Sequence, residues 1–65
     1  MATTMARLNV AATALAEWQR GQITWTEALR RMDLSSEEET RLGSPSRYLS
    51  EREMVAHLAN AVFRI

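Results

Sequence analysis

A compact all-α bundle of three to four short helices is the fold class this sequence predicts. Three observations lead there. Helix-type apolar spacing, at i, i+3, i+4 and i+7, recurs along the 65 residues. A Ser or Thr stands three residues before a Glu at Thr24/Glu27, Ser35/Glu38 and Ser50/Glu53, the pattern of a capping box that satisfies two orphaned N–H groups at a helix start. Gly21, Gly43 and Pro45 fall where the helical patterns stop.

Helix 1 is expected from Thr4 to Arg20. Leu8, Ala11, Leu15 and Trp18 recur at 3–4–3 spacing, and Met5, Ala12 and Ala16 widen the stripe. Six alanines between Ala2 and Ala16 favour helix and permit close helix approach. The same stripe has the spacing of a homodimer seam over two heptads. Gly21 then takes the C′ position, where φ > 0 is cheap only for Gly.

Helix 2 follows Thr24 and runs from Trp25 to Met32. Trp25, Ala28, Leu29 and Met32 share one face, and Ile23 precedes the cap as a staple residue. Asp33, Leu34 and Ser35 form a short connection. Helix 3, Ser36 to Leu42, carries no apolar residue between Leu34 and Leu42, so it buries only its ends and is expected to be the least stable helix. Ser44, Pro45, Ser46 and Arg47 make a loop. The last helix starts at Ser50 with Leu49 and Met54 as a hydrophobic staple, and its stripe is Met54, Val55, Leu58, Ala59, Val62 and Phe63. The expected core places Trp18, Trp25, Leu29, Leu58 and Phe63 between helices 1 and 4, within one domain spanning residues 1–65.

A domain of this size buries only roughly 60% of its unfolded surface. With no Cys there is no disulfide or Cys-based zinc site to support it, so its helices or a partner must do so. The absence of Cys, of a long apolar run and of a signal-type leader fits a cytoplasmic protein with no membrane span. The 8 basic and 8 acidic residues cancel, which removes long-range attraction to nucleic acid or an anionic membrane. All eight basic residues are Arg. Arg suits planar recognition of carboxylate or phosphate, and it is also what a GC-rich gene yields.

Most charges read as helix-dipole partners. Glu27, Glu37, Glu38, Glu51 and Glu53 lie in first turns, and Arg20, Arg30, Arg31, Arg41 and Arg64 near C-terminal ends. A lone His57, within reach of Glu53, is too few ligands for a metal, and two Gly at helix ends cannot cradle a phosphate. No nucleophile–base set is visible, so neither an enzyme nor a cofactor is expected.

Residues 21–39, G-Q-I-T-W-T-E-A-L-R-R-M-D-L-S-S-E-E-E, resemble the helix-turn-helix core of short bacterial regulators and transposase-type domains. Ala28, Met32, Leu34 and Ser35 match the mid-helix alanine, the following hydrophobic residue and the Leu-Ser turn of that family. The stretch also resembles helical-hairpin segments with a G-x-I-T-x-x-E pattern that carry no DNA function. The first resemblance implies a DNA-binding transcriptional regulator, a dimer. The residues themselves disfavour DNA, because Glu37, Glu38 and Glu39 occupy the recognition helix, where phosphates repel them.

The first expectation is therefore a non-enzymatic regulator, inhibitor or adaptor that binds another protein, of the size and neutrality of phage- or mobile-element-encoded modulators. The DNA-binding regulator is the alternative. By elimination the partner surface is expected around Arg41, Arg47 and Tyr48, joined by Arg30 and Arg31, with the acidic face of Glu37, Glu38 and Glu39 as the alternative. Arg47 and Tyr48 lie in a loop, where binding residues concentrate, and are types enriched in hot spots.

Replacing Ser50 by Ala removes the cap of the last helix and is expected to cost about 0.5–2 kcal/mol. A urea midpoint unchanged by the substitution would place the start of that helix elsewhere.

Overall fold

A computed structural model describes residues 3–65, so Ala2 of the helix-promoting alanines lies outside it. Helix α1 spans Thr4–Gln19, α2 Trp25–Met32, α3 Ser36–Leu42 and α4 Glu51–His57; α4 runs on into a wider π-helical turn, Leu58–Val62. No strand is present among the described residues. No helix among them is long and apolar enough to cross a membrane.

The predicted start and stop signals operate with two differences. Thr3 caps α1 by accepting from the Ala6 N–H at 3.1 Å. At the other end Gly21, with φ 77°, closes a Schellman motif. Its N–H donates to Trp18 O at 3.0 Å, and the Gln22 N–H donates to Glu17 O at 2.9 Å. The Ser35/Glu38 and Ser50/Glu53 boxes are both complete. The Thr24/Glu27 box is only half made. Thr24 accepts from the Glu27 N–H at 3.1 Å, but the Glu27 carboxylate turns forward to Arg30, which donates to it at 2.8 and 3.0 Å. The charged guanidinium outcompetes a backbone N–H that solvent can satisfy. The second difference is at Asp33, which ends α2 with φ 51° and ψ 51°. This is the left-handed conformation, which Asp tolerates better than most non-Gly residues.

One buried cluster joins all the helices: Leu8, Ala11, Ala14, Leu15, Ala28, Met32, Leu42, Met54, Leu58 and Val62. The expected core needs correction here. Of Trp18, Trp25, Leu29, Leu58 and Phe63, only Leu58 is buried; the other four are half-buried and pack against the cluster from outside. The reason is steric. Ala11 and Ala14 of α1 and Ala28 of α2 face the core, and α2 packs closely on α1. So close an approach leaves no room between them for an indole. Trp18 and Trp25 flank the Gly21 turn, and each covers the end of the hairpin instead. Along α4 and the π turn that continues it, the stripe is as expected, with Met54, Leu58 and Val62 buried and Val55, Ala59 and Phe63 half-buried.

Helix α3 lies against the π turn. Its only buried residue is Leu42, at its C-terminus. Polar contacts hold the rest. At the N-terminal end, the Arg7 Nη2 of α1 donates to Glu38 Oε1 at 2.7 Å, and the Arg7 guanidinium also stacks 5.0 Å from the centre of the Phe63 ring. At the C-terminal end the two elements cap each other. Arg41 of α3 donates to the carbonyls of Ala61 and Val62 at 3.1 and 2.9 Å. His57 of α4 donates from Nε2 to Leu42 O at 2.9 Å, a different partner from the expected Glu53. Carbonyls at helix ends have no partner within the helix, and these side chains supply one. In the π turn the Phe63 N–H donates to Leu58 O at 2.9 Å, the i→i−5 step that widens it.

Glu38 gives the fold a pH dependence. Its carboxyl is held down to about 2, chiefly by the hydrogen bond from Arg7 and then by the Ser35 N–H. Because folding lowers this pKa, the contribution is present above the unfolded value of about 4.5 and fades as pH falls toward 2. At neutral pH, Glu38→Gln is expected to cost about 1–2 kcal/mol, after allowing for the solvent exposure of Arg7. Thermal melts between about pH 5 and pH 2 should show a shallower loss of stability in Glu38→Gln than in the unaltered chain. Equal losses would mean that the pair does not form.

Candidate functional site: an aromatic cleft beside Arg47 and Tyr48

The residues expected to contact a partner separate into two groups. Arg41 is half-buried and fully occupied, by the two carbonyls of the π turn and by Glu37 Oε1 at 3.0 Å from its Nη1. It is a structural cap, which corrects its place in the expected surface. Arg30 lies on the surface in a two-pronged pair with Glu27, and this bond holds the Glu27 carboxyl below its ordinary range. Arg31 pairs with Glu17 at 3.0 Å, joining α2 to α1. In the acidic alternative, Glu38 belongs to the capping box and to Arg7, and Glu37 to Arg41; only Glu39 stands without an ion pair among the described residues. So neither Arg30 and Arg31 nor the three glutamates form a patch of uncommitted charge.

Arg47 and Tyr48 differ. Tyr48 is 92% exposed, which leaves almost the whole side chain uncovered. Arg47 stacks its guanidinium 5.0 Å from the centre of the Trp18 ring and forms no ion pair among the described residues. The backbone that carries them is held from α1: Gln19 Nε2 donates to Arg47 O at 3.2 Å and to Leu49 O at 2.8 Å. The Tyr48 N–H donates to Ser46 Oγ at 3.1 Å, a local turn bond. An exposed aromatic and an unpaired cation thus sit on a backbone that is tied down at both sides of Tyr48.

Trp18 connects this loop to a cleft. Its ring meets that of Trp25 with centroids 4.7 Å apart and planes tilted by 58°, a favourable tilted geometry for two aromatics. Trp18, Trp25, Ser44 and Pro45 line a cleft of about 150 Å³. Sequence reasoning identified Arg47 and Tyr48 but assigned both tryptophans to the core, so it missed the cleft. The spacing of Trp18 and Trp25 about Gly21 carried the signal: two large aromatics at the two ends of a tight turn cannot both enter a small core. A shallower groove on α1, lined by Asn9, Val10, Thr13, Ala14, Glu17 and Arg31, has its two charges already paired with each other.

Among the described residues no three His, Cys, Asp or Glu side chains come together as a metal site. No family model, characterised protein or solved structure matches the chain.

Trp25→Ala is expected to cost about 1–3 kcal/mol, below the ~3–5 kcal/mol of a fully buried aromatic, because Trp25 is half-buried. Urea unfolding checks this. A loss at or above the upper figure would place the ring inside the core.

Proposed function

We propose that the protein is a small non-enzymatic regulator, inhibitor or adaptor of the cytoplasm that works by binding another protein through Arg47, Tyr48 and the tryptophan cleft. One observation carries the reading. Tyr48 is left 92% exposed on a loop whose backbone is nevertheless fixed by Gln19. Tyr, Trp and Arg are the residue types enriched at interface hot spots. Fixing them in place before binding reduces the ordering cost of association. Most other charged side chains are already committed to caps or ion pairs. Zero net charge and the acids of α3 speak against a phosphate-binding face.

The helix-turn-helix reading predicts a different behaviour. A DNA-binding protein should be retained on duplex DNA at low salt, with a steep dependence on salt. The protein-binding reading expects indifference to DNA.

The test is the double substitution Arg47→Ala with Tyr48→Ala, assayed against a partner captured from a host lysate by crosslinking. With helicity unchanged, binding is expected to fall more than about tenfold, or 1.4 kcal/mol. Full binding by the variant would move the working surface elsewhere. Salt-sensitive retention of the unaltered chain on duplex DNA would favour the transcriptional regulator.

A further inference from the structure

We infer that the tryptophan cleft receives one apolar side chain of an extended acidic peptide segment, and that Arg47 holds a carboxylate two residues away. The inference rests on the protein-binding reading above and names the chemistry of the partner.

Size points to a single side chain. The cleft, at about 150 Å³, is well below the roughly 300–1,000 Å³ of small-molecule sites. Its walls are two indoles and a proline ring, with Ser44 the only polar residue among them. A Leu- or Pro-sized group gains there by leaving water, whereas a charged or strongly polar one does not.

Charge sets what lies next to that side chain. Arg7, Arg30, Arg31 and Arg41 each have a carboxylate partner. Arg47, like Arg20, Arg52 and Arg64, has none among the described residues, but of these four it alone holds its guanidinium over an aromatic ring, that of Trp18, a wall of the cleft. The guanidinium lies over the ring, and its N–H groups, which form no ion pair among the described residues, remain to donate. A planar fork held beside the cleft suits a carboxylate, which accepts two parallel hydrogen bonds. An extended peptide advances about 3.3 Å per residue and alternates its side chains between two faces, so a carboxylate two residues from the seated side chain, about 6.6 Å on, lies on the same face and reaches Arg47.

The test uses the full chain, isotope-labelled so that the two indole N–H groups report by NMR. Four blocked peptides are titrated: acetyl-Glu-Ala-Leu-Ala-Glu-amide, its Gln and Lys counterparts at the Glu positions, and a counterpart with Gly in place of Leu. The acidic peptide is expected to shift the Trp18 and Trp25 signals saturably, with a dissociation constant of roughly 1 mM or below. The Lys peptide should bind at least about tenfold more weakly. The Gly peptide should leave the indoles unmoved. In Arg47→Gln, with unchanged helicity, the preference for Glu over Gln should vanish while Leu still seats. Equal binding of the Glu, Gln and Lys peptides at the indoles overturns the acidic preference and leaves the protein-binding reading standing. Silence of both indoles toward every peptide overturns the cleft as the seat, even where the captured partner still depends on Arg47 and Tyr48. Loss of the protein-binding reading itself would show separately, as full partner binding by the Arg47/Tyr48 double variant.

Discussion

The bond between Arg7 and Glu38 is the contact on which the arrangement of this small fold depends. Helix α3 has no apolar face along its length and cannot be held by burial alone. The Glu38 carboxylate closes the capping box of α3 by accepting from the Ser35 N–H at 2.9 Å, and it accepts from Arg7 of α1 through the same oxygen. One side chain therefore both starts the helix and ties it to the bundle. Arg7 in turn lies on Phe63, so the chain's C-terminal turn is drawn to the same point. With α3 anchored at its N-terminus, Leu42 reaches the core and the exchange of caps between Arg41 and the π turn, and between His57 and Leu42, falls into place. A partly buried pair of this kind is modest in energy, since desolvation offsets much of the attraction. Its weight here comes from what it positions.

The use of Arg alone among the basic residues has a structural side that composition does not reveal. Arg7 donates to a carboxylate while its guanidinium lies over a phenyl ring. Arg41 serves two carbonyls and a carboxylate at once. A Lys ammonium, a compact point charge without a planar face, meets neither geometry. Arg47 lies over Trp18 at the same distance but forms no ion pair among the described residues. The difference between Arg7 and Arg47 is the presence of a carboxylate within the chain, which is why the second reads as a place for an external one.

The two tryptophans follow from the limits of size. Small residues at Ala11, Ala14 and Ala28 let α1 and α2 pack closely, and a core so thin holds Leu, Met and Val but not indoles. Trp18 and Trp25 then close the hairpin end as half-buried lids. This leaves an aromatic surface open in a domain that buries little to begin with. The Ser44–Arg47 loop turns that surface into a cleft, because Pro45 forms its far wall and Gln19 holds the backbone beyond it.

Local chemistry was legible in the sequence by itself. Gly21, the Ser35/Glu38 and Ser50/Glu53 boxes and the stripe of α4 each depend on residues within one or two turns of one another, and such interactions act the same way in any fold. They determined the helices, their starts and the all-α class, but not the widening of the last helix into a π turn after His57. Arg47 and Tyr48 were legible as candidates because no local role claimed them. What only the tertiary structure decided joins residues far apart in sequence. Arg7 finds Glu38 and Phe63, Arg41 finds the carbonyls of Ala61 and Val62, and Trp18, Trp25 and Pro45 share one cleft. Even within a helix the outcome depended on competition: Glu27 left its capping box for Arg30. Periodicity says which face of a helix is apolar, but the spacing between helices decides which members of that face are enclosed. Here that spacing was set by alanines, and the largest side chains were left at the edge.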